Sequence, residues 1–187
     1  MSRAGYVLVG GRSSRMGRDK ALLPYRGGNL AGFVAGAVAA AAGSAVLVGD
    51  PARYPESPHP VIPDCYPGEG PLGGILTALR HTSSDWNLVV ACDMPGLDTK
   101  FLAGLLAAAE QLGVDALIPV GASGIPEPLC AVYHRRALEP LDQAFRAGQR
   151  KVMAAVAQLD SKRLPVGEMA VFQNVNTPED WAAYGGE

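Results

Sequence analysis

Residues 10–20 read Gly-Gly-Arg-Ser-Ser-Arg-Met-Gly-Arg-Asp-Lys. Paired glycines let a backbone approach a ligand closely and aim its N–H groups at an anion. Arg12, Arg15, Arg18 and Lys20 add four cations to the same stretch. Cradling amides and neutralising cations together suit a polyphosphate. The spacing does not satisfy G-x-x-x-x-G-K-[ST], and the glycines at 10, 11 and 17 also miss G-x-G-x-x-G. A solvated turn carrying surface cations is the plainer alternative for this loop. The next candidate is Asp93, in Ala91-Cys92-Asp93-Met94-Pro95, a carboxylate directly after an apolar run and in a turn that Pro95 stiffens. Magnesium favours one or two carboxylates together with phosphate oxygens and water, which makes Asp93 a candidate metal ligand. An aspartate that only hydrogen-bonds its own turn would look the same. Asp64, after Ile62-Pro63, is a similar and weaker candidate.

Two further stretches could contact a ligand. Gly68-Glu69-Gly70-Pro71-Leu72-Gly73-Gly74 concentrates glycines ahead of an apolar run. That permits close approach to a base or ribose, or simply a close crossing of helix and sheet. In Asn174-Val175-Asn176-Thr177-Pro178, the two amides would point to one side of an extended segment and hold a polar ligand. An Asx turn leading into a capped helix explains the same residues. Other chemistries fit poorly. Gly121-Ala122-Ser123-Gly124 lacks the nucleophile-elbow spacing. His59, His81 and His134 are scattered, with no metal or triad spacing, and Cys92 has no His or Lys beside it in sequence to activate it.

These residues need elements to position them. Tyr6 to Val9 is a short apolar run stopped by Gly10-Gly11, which predicts a buried strand. Leu30 to Ala42 predicts a helix ended at Gly43-Ser44. Strands are expected at Ala45 to Val48, Val61-Ile62, Trp86 to Ala91, Ala116 to Val120 and Leu129 to Tyr133. Helices are expected at Pro71 to Arg80, from a Thr99 cap to about Leu112, near 136–146 and 151–158, and after Thr177. Strands alternating with helices imply parallel pairing in a layered α/β fold. Ligands of such sheets bind beyond the carboxyl ends of the strands. The glycine–arginine loop, Asp64 and Asp93 all fall at such ends.

The composition bounds the class. The chain has 187 residues, 16 Lys+Arg and 18 Asp+Glu, and a net charge of −2. No basic excess is present to neutralise a nucleic-acid backbone, which argues against that partner. A charged fraction of 18% beside 48% hydrophobic residues argues against disorder. The Ala-rich stretch Phe33 to Ala42 is too short to cross a bilayer, so no membrane partner is expected. Cys65, Cys92 and Cys130 are odd in number and dispersed, and read as reduced, buried thiols of a cytoplasmic protein. With no linker or repeat, one domain over residues 1–187 is expected.

Taken in order, Leu8 to Lys20, Pro63-Asp64 to Ile75, Cys92-Asp93-Met94-Pro95, Glu127-Pro128-Leu129, Arg150-Lys151-Val152-Met153 and Asn174 to Asp180 resemble the motifs of the nucleotidyltransferase superfamily. The resemblance is closest to the molybdenum cofactor guanylyltransferases, the family of molybdopterin-guanine dinucleotide biosynthesis protein A, and spans nearly the whole chain. It implies a Rossmann-like three-layer α/β/α fold with a mostly parallel twisted sheet, of the nucleotide-diphospho-sugar transferase type. It also implies GTP, magnesium (with manganese as the substitute), and transfer of GMP to the terminal phosphate of molybdopterin with release of pyrophosphate. Leu8, Val9 and Gly10 would then meet the nucleotide through backbone groups, and Lys20 its phosphates, with Arg15 and the Gly10-Gly11 amides in support. Asp64 would bind the nucleoside side and Asp93 the metal and phosphates. Gly74, Arg150 or Lys151, Asn174 and Asn176 would line the molybdopterin side. Other proteins of molybdenum cofactor biosynthesis and molybdoenzyme chaperones would be the further partners.

Three positions depart from the family pattern. Val9 stands where Ala is usual, and Gly49 where Asn is frequent, so that Gly49 removes a possible base or ribose contact. Asn29-Leu30 replaces Pro-Leu. The first two bear on the choice of GTP over CTP. The alternatives are therefore a related nucleotidyltransferase using CTP (a molybdopterin cytidylyltransferase) or a sugar- or alcohol-phosphate acceptor, and a non-catalytic nucleotide-binding maturation factor.

Overall fold

The computed structural model describes residues 1–10, 19–167, 172 and 180–181. In chain order the elements are β1 (Arg3–Leu8), β2 (Pro24–Tyr25), β3 (Gly28–Asn29), α1 (Leu30–Ala42), β4 (Val46–Val48), β5 (Val61–Ile62) and α2 (Pro71–His81). They continue with β6 (Trp86–Ala91), α3 (Thr99–Leu112), β7 (Ala116–Val120), β8 (Cys130–His134), α4 (Leu138–Arg146), α5 (Val152–Val156) and β9 (Ser161–Pro165). Short 3-10 turns at Lys20–Leu22, Pro51–Arg53 and Arg135–Ala137 join some of them. Among the described residues no helix is long and apolar enough to cross a membrane.

Seven strands form one sheet in the order β5-β4-β1-β6-β8-β7-β9. β1 pairs in parallel with β4 and β6, β4 with β5, and β7 with β9. Among the described strands of this sheet only β8 runs against its neighbours, antiparallel to β6 and β7. The sheet is thus mostly parallel, as expected, with one reversed strand inside it. The reversal follows from the connection: residues 121–129 hold no helix, so the chain cannot cross over and turns back instead. β9, and the two-stranded β2–β3 hairpin turning at Arg26-Gly27, were not anticipated.

Strand alternation sends side chains to two cores. Val7, Leu88 and Val90 face one way and pack with Val34, Val38 and Leu105 of α1 and α3. Tyr6, Leu8 and Val89 face the other way, onto Ile75, Leu76, Leu141 and Val156 of α2, α4 and α5. The three layers are thus α1 and α3, the sheet, then α2, α4 and α5. α1 approaches closely at Gly5, where a Cβ would stand 2.3 Å from Val38 Cγ1 and 2.5 Å from Ser44 O.

Local signals explain most helix ends. Asn29 caps α1, its Oδ1 accepting from Gly32 N at 2.8 Å. The cap of α3 is Asp98 and not Thr99: the Asp98 backbone is extended, and its Oδ1 accepts from Phe101 N at 2.7 Å. Thr99 is already the first helical residue. The helix expected after Thr177 lies largely outside the described residues, of which 180 and 181 are helical.

Candidate active site

Four parallel strands, β5, β4, β1 and β6, end side by side, and their exits build a cavity of about 660 Å³. The backbone holds these exits in register past the last strand residues. Val9 N donates to Val48 O at 3.1 Å, Gly49 N to Ile62 O at 2.9 Å, and Cys92 N to Leu8 O at 3.2 Å. Leu8, Val9 and Gly10 line the cavity from β1, Gly49 from β4, and Asp64 from just past β5. Lys20, Gly74 and Asp93 complete the set of sequence-predicted residues found in this wall. Gly11, Arg15, Asn174 and Asn176, with Arg12 and Arg18, lie outside the described residues.

Across the cavity, Lys20 Nζ stands 3.2 Å from Asp93 Oδ2, with side-chain exposures of 18% and 21%. The far end of the glycine–arginine segment therefore meets the carboxylate after β6. Among the described residues Asp93 engages this lysine and not an amide of its own turn. Asp64 behaves differently. Its Oδ1 accepts from Tyr66 N at 2.9 Å, an Asx turn, and from Thr77 Oγ1 at 2.8 Å. One oxygen thus secures the turn after β5, and the residue still borders the cavity.

The second glycine loop divides its work. Gly70 precedes Pro71 at φ 88, a conformation that favours glycine, and it borders the cavity. Gly74 lacks a side chain for a packing reason, since a Cβ there would sit 3.1 Å from both Leu8 methyls. The close crossing of α2 over β1 accounts for that residue, while its backbone faces the cavity. Arg150 and Lys151 do not line the cavity. Arg150 stacks over the Phe145 ring at 3.9 Å and its Nε reaches Glu69 Oε2 at 2.7 Å, so it ties the second glycine loop to the end of α4. Lys151 starts α5.

Val9 and Gly49 are one steric unit. A Cβ on Gly49 would lie 2.7 Å from Val9 Cγ2. The β-branched side chain at 9 therefore occupies the space that a side chain at 49 would use. We expect Gly49→Ala to destabilise the protein by about 1–3 kcal/mol, the usual cost of overpacking. In a Val9→Ala background the same change should be nearly free. Thermal melts of the two singles and the double measure that coupling, and additive losses would refute it.

Two titratable neighbours are shifted. Burial, with the charges of Asp93 and Asp19 adding to it and Lys20 opposing, pushes the Cys92 thiol up to about 12. Burial thus disfavours the thiolate that a nucleophile needs. Cys130 is buried in the same way, whereas Cys65 is exposed, contrary to the expectation that all three are buried. Burial and then the charge of Asp93 raise the carboxyl of half-buried Glu127 above its ordinary 4.5. A raised carboxyl stabilises the fold below the unfolded value and loses that contribution as pH rises through the folded one. Glu127→Gln should thus raise the melting temperature at pH 7, and the gain should vanish below pH 4.5. A gain independent of pH would rule out the charge as its cause.

The wall residues Asp50 and Arg53 belong to none of the motifs read from the sequence. Asp50 and Arg53 follow β4 directly, so the strand-end rule that picked Asp93 would have found them. Of the histidines, His134 accepts from Arg136 N and stacks edge-on against Trp86, and His81 meets the Tyr6 hydroxyl at 3.0 Å. None of the three lines the cavity.

Comparison with known proteins bears out the family resemblance. The family model described as MobA-like NTP transferase domain matches residues 5–162. A probable molybdenum cofactor guanylyltransferase of Trichormus variabilis is 35% identical, covering 97% of this chain and 89% of that protein. The one from Deinococcus radiodurans is also 35% identical, over 96% and 92%. The crystal structure of molybdopterin-guanine dinucleotide biosynthesis protein A from Archaeoglobus fulgidus superposes with a TM-score of 0.81 at 30% identity, covering 96% of this chain and 95% of that one. A 2-C-methyl-D-erythritol 4-phosphate cytidylyltransferase from Thermus thermophilus shares the fold, with a TM-score of 0.73 at 17% identity over 97% and 96%.

Proposed function

The chain belongs to the MobA-like NTP transferase family, and from that premise we propose that it transfers GMP from GTP to the terminal phosphate of molybdopterin. The products are molybdopterin guanine dinucleotide and pyrophosphate. One observation carries the reading: Lys20 and Asp93 meet at 3.2 Å in a cavity whose walls are strand ends and glycine turns. A cation beside a carboxylate suits a nucleotide that arrives with a divalent metal.

The attacking phosphate oxygen is already anionic at neutral pH, because a phosphate monoester has its second pKa at about 6. No general base is needed. A bond forms from that oxygen to the α-phosphorus of GTP while the bond to the bridging oxygen breaks, and pyrophosphate leaves with the electron pair. The barrier is the approach of one anion to another. Lys20 neutralises the charge that builds on the departing group, aided by the Gly10 amide. Leu8 and Val9 offer backbone contacts to the nucleotide, and Asp64 and Gly49 border its nucleoside end. Such fixed electrostatics and positioning supply most of the catalysis in phosphoryl-type transfers. Gly11 and Arg15 are proposed for the triphosphate, and Gly74, Asn174 and Asn176 for the molybdopterin side.

The partly exposed carboxylate of Asp93 offers a hard oxygen donor, which suits a hard divalent cation such as magnesium or manganese. When bound, the ion draws charge from the phosphate oxygens and helps orient them. The setting is a single cytoplasmic domain whose partners are GTP, molybdopterin and the proteins that pass the cofactor onward.

Incubation with GTP, magnesium and molybdopterin, followed by mass analysis, tests the reading. The expected product is the guanine dinucleotide with stoichiometric pyrophosphate. A product only with CTP would favour the cytidylyl alternative, which the Val9–Gly49 pair keeps specific. GTP binding without any pyrophosphate release would favour a non-catalytic maturation factor.

A further inference from the structure

One side chain reaches both stems of the glycine–arginine segment. Tyr54 follows the 3-10 turn Pro51–Arg53 after β4, and it is buried. Its hydroxyl lies 3.0 Å from Val9 O and 2.9 Å from Asp19 Oδ2. Val9 precedes residues 10–18 in the sequence and Asp19 follows them, so a single phenol meets the residues on both sides of that stretch. The hydroxyl has one proton and serves one acceptor at a time, while its position keeps both within reach.

Asp19 passes the restraint on. Its side chain is 8% exposed, and its Oδ2 also pairs with Arg53 Nη2 at 2.7 Å. Its Oδ1 accepts from Ala21 N at 3.1 Å and so caps the 3-10 turn Lys20–Leu22. The carboxylate that Tyr54 holds therefore sets the backbone from which Lys20 reaches Asp93. We infer that Tyr54 is a positioning residue: by clasping Val9 and Asp19 it fixes the spacing of the loop's stems and the direction of the Lys20 ammonium. Burial, reinforced by the Asp19 charge, holds the phenol well above its ordinary value, so the proton that makes the clasp is kept at neutral pH.

The kinetic part of this inference rests on the proposed GTP chemistry, and the structural part does not. The test is Tyr54→Phe, which keeps the ring and removes the hydroxyl. In nucleotide-free protein, hydrogen exchange at the Ala21, Leu22 and Leu23 amides should accelerate about tenfold, the worth of roughly one hydrogen bond. Amides of β6 should keep their rates. In turnover, kcat per folded molecule should fall on the order of 10-fold or more, with KM for GTP changing less, because the displaced group acts on the transition state. Asp19→Asn should show the same pattern, and the double variant should lose no more than Asp19→Asn alone. Should Tyr54→Phe fail to fold, Asp19→Asn carries the exchange and kinetic comparisons by itself. Exchange rising equally everywhere, kcat unchanged per folded molecule, or additive losses in the double variant would each overturn the clasp. If the wild type releases no pyrophosphate at all, the proposed function fails, while the exchange result still decides the clasp.

Discussion

Asp93→Ala is expected to reduce magnesium-dependent pyrophosphate release on the order of 10³-fold while leaving a folded protein. The size follows from two losses at one position. Withdrawing a preorganised electrostatic group from a closed site costs about 10²–10³ in rate. Asp93 is also the carboxylate after β6 that faces Lys20, so its removal leaves the lysine without that partner in the cavity wall. The fold should survive, since the side chain is partly exposed and the turn is held by backbone bonds such as Cys92 N to Leu8 O. Asp93→Asn separates charge from shape: it should demand more magnesium for half-maximal rate, as well as turning over slowly. A variant with wild-type metal dependence would show that the ion, if required, is held elsewhere.

Lys20→Ala carries the second large effect, a loss of about 10²–10³ in kcat/KM for GTP. Arginine should not restore it. The lysine works from the start of a tight 3-10 turn with its side chain 18% exposed, and a planar guanidinium needs a wider slot and different donor geometry than a compact ammonium. Steady-state rates with GTP varied at saturating acceptor give the number directly. Near wild-type pyrophosphate release by purified Lys20→Ala would remove this lysine from the mechanism.

Much of the frame was legible because apolar runs end at strong punctuation. Trp86–Ala91 and Leu30–Ala42 have the bounds that the sequence led us to expect. So does the short Val61–Ile62, closed by Pro63. The direction of β8 was not legible, because a run such as Cys130–His134 reads the same whichever way it lies. Only the missing helix between 120 and 130 distinguishes the cases. The exchange of space between Val9 and Gly49 was equally hidden, since positions forty apart meet only once β1 and β4 pair. Asp64 and Gly74 were noticed for ligand chemistry, yet part of each residue's reason is internal: an Asx turn in one, a tight helix crossing in the other. Tyr54 gave no signal, because a lone tyrosine after a turn is unremarkable until its hydroxyl is seen between two stems.

The reversed strand has a consequence for how this molecule can vary. β5, β4, β1 and β6 bring the chain to the cavity as they finish, whereas β8 brings it there as it begins, through Leu129, whose carbonyl accepts from Ala91 N at 2.7 Å. The link over residues 121–129 is exposed at residues 122–125, and this exposed part lies between two antiparallel neighbours. Residues can be added to or removed from it without shifting the pairing of the other four strands. One rim of the cavity is therefore an interchangeable part, and a graft there from a relative with a different acceptor would alter that rim while the opposite wall keeps its shape.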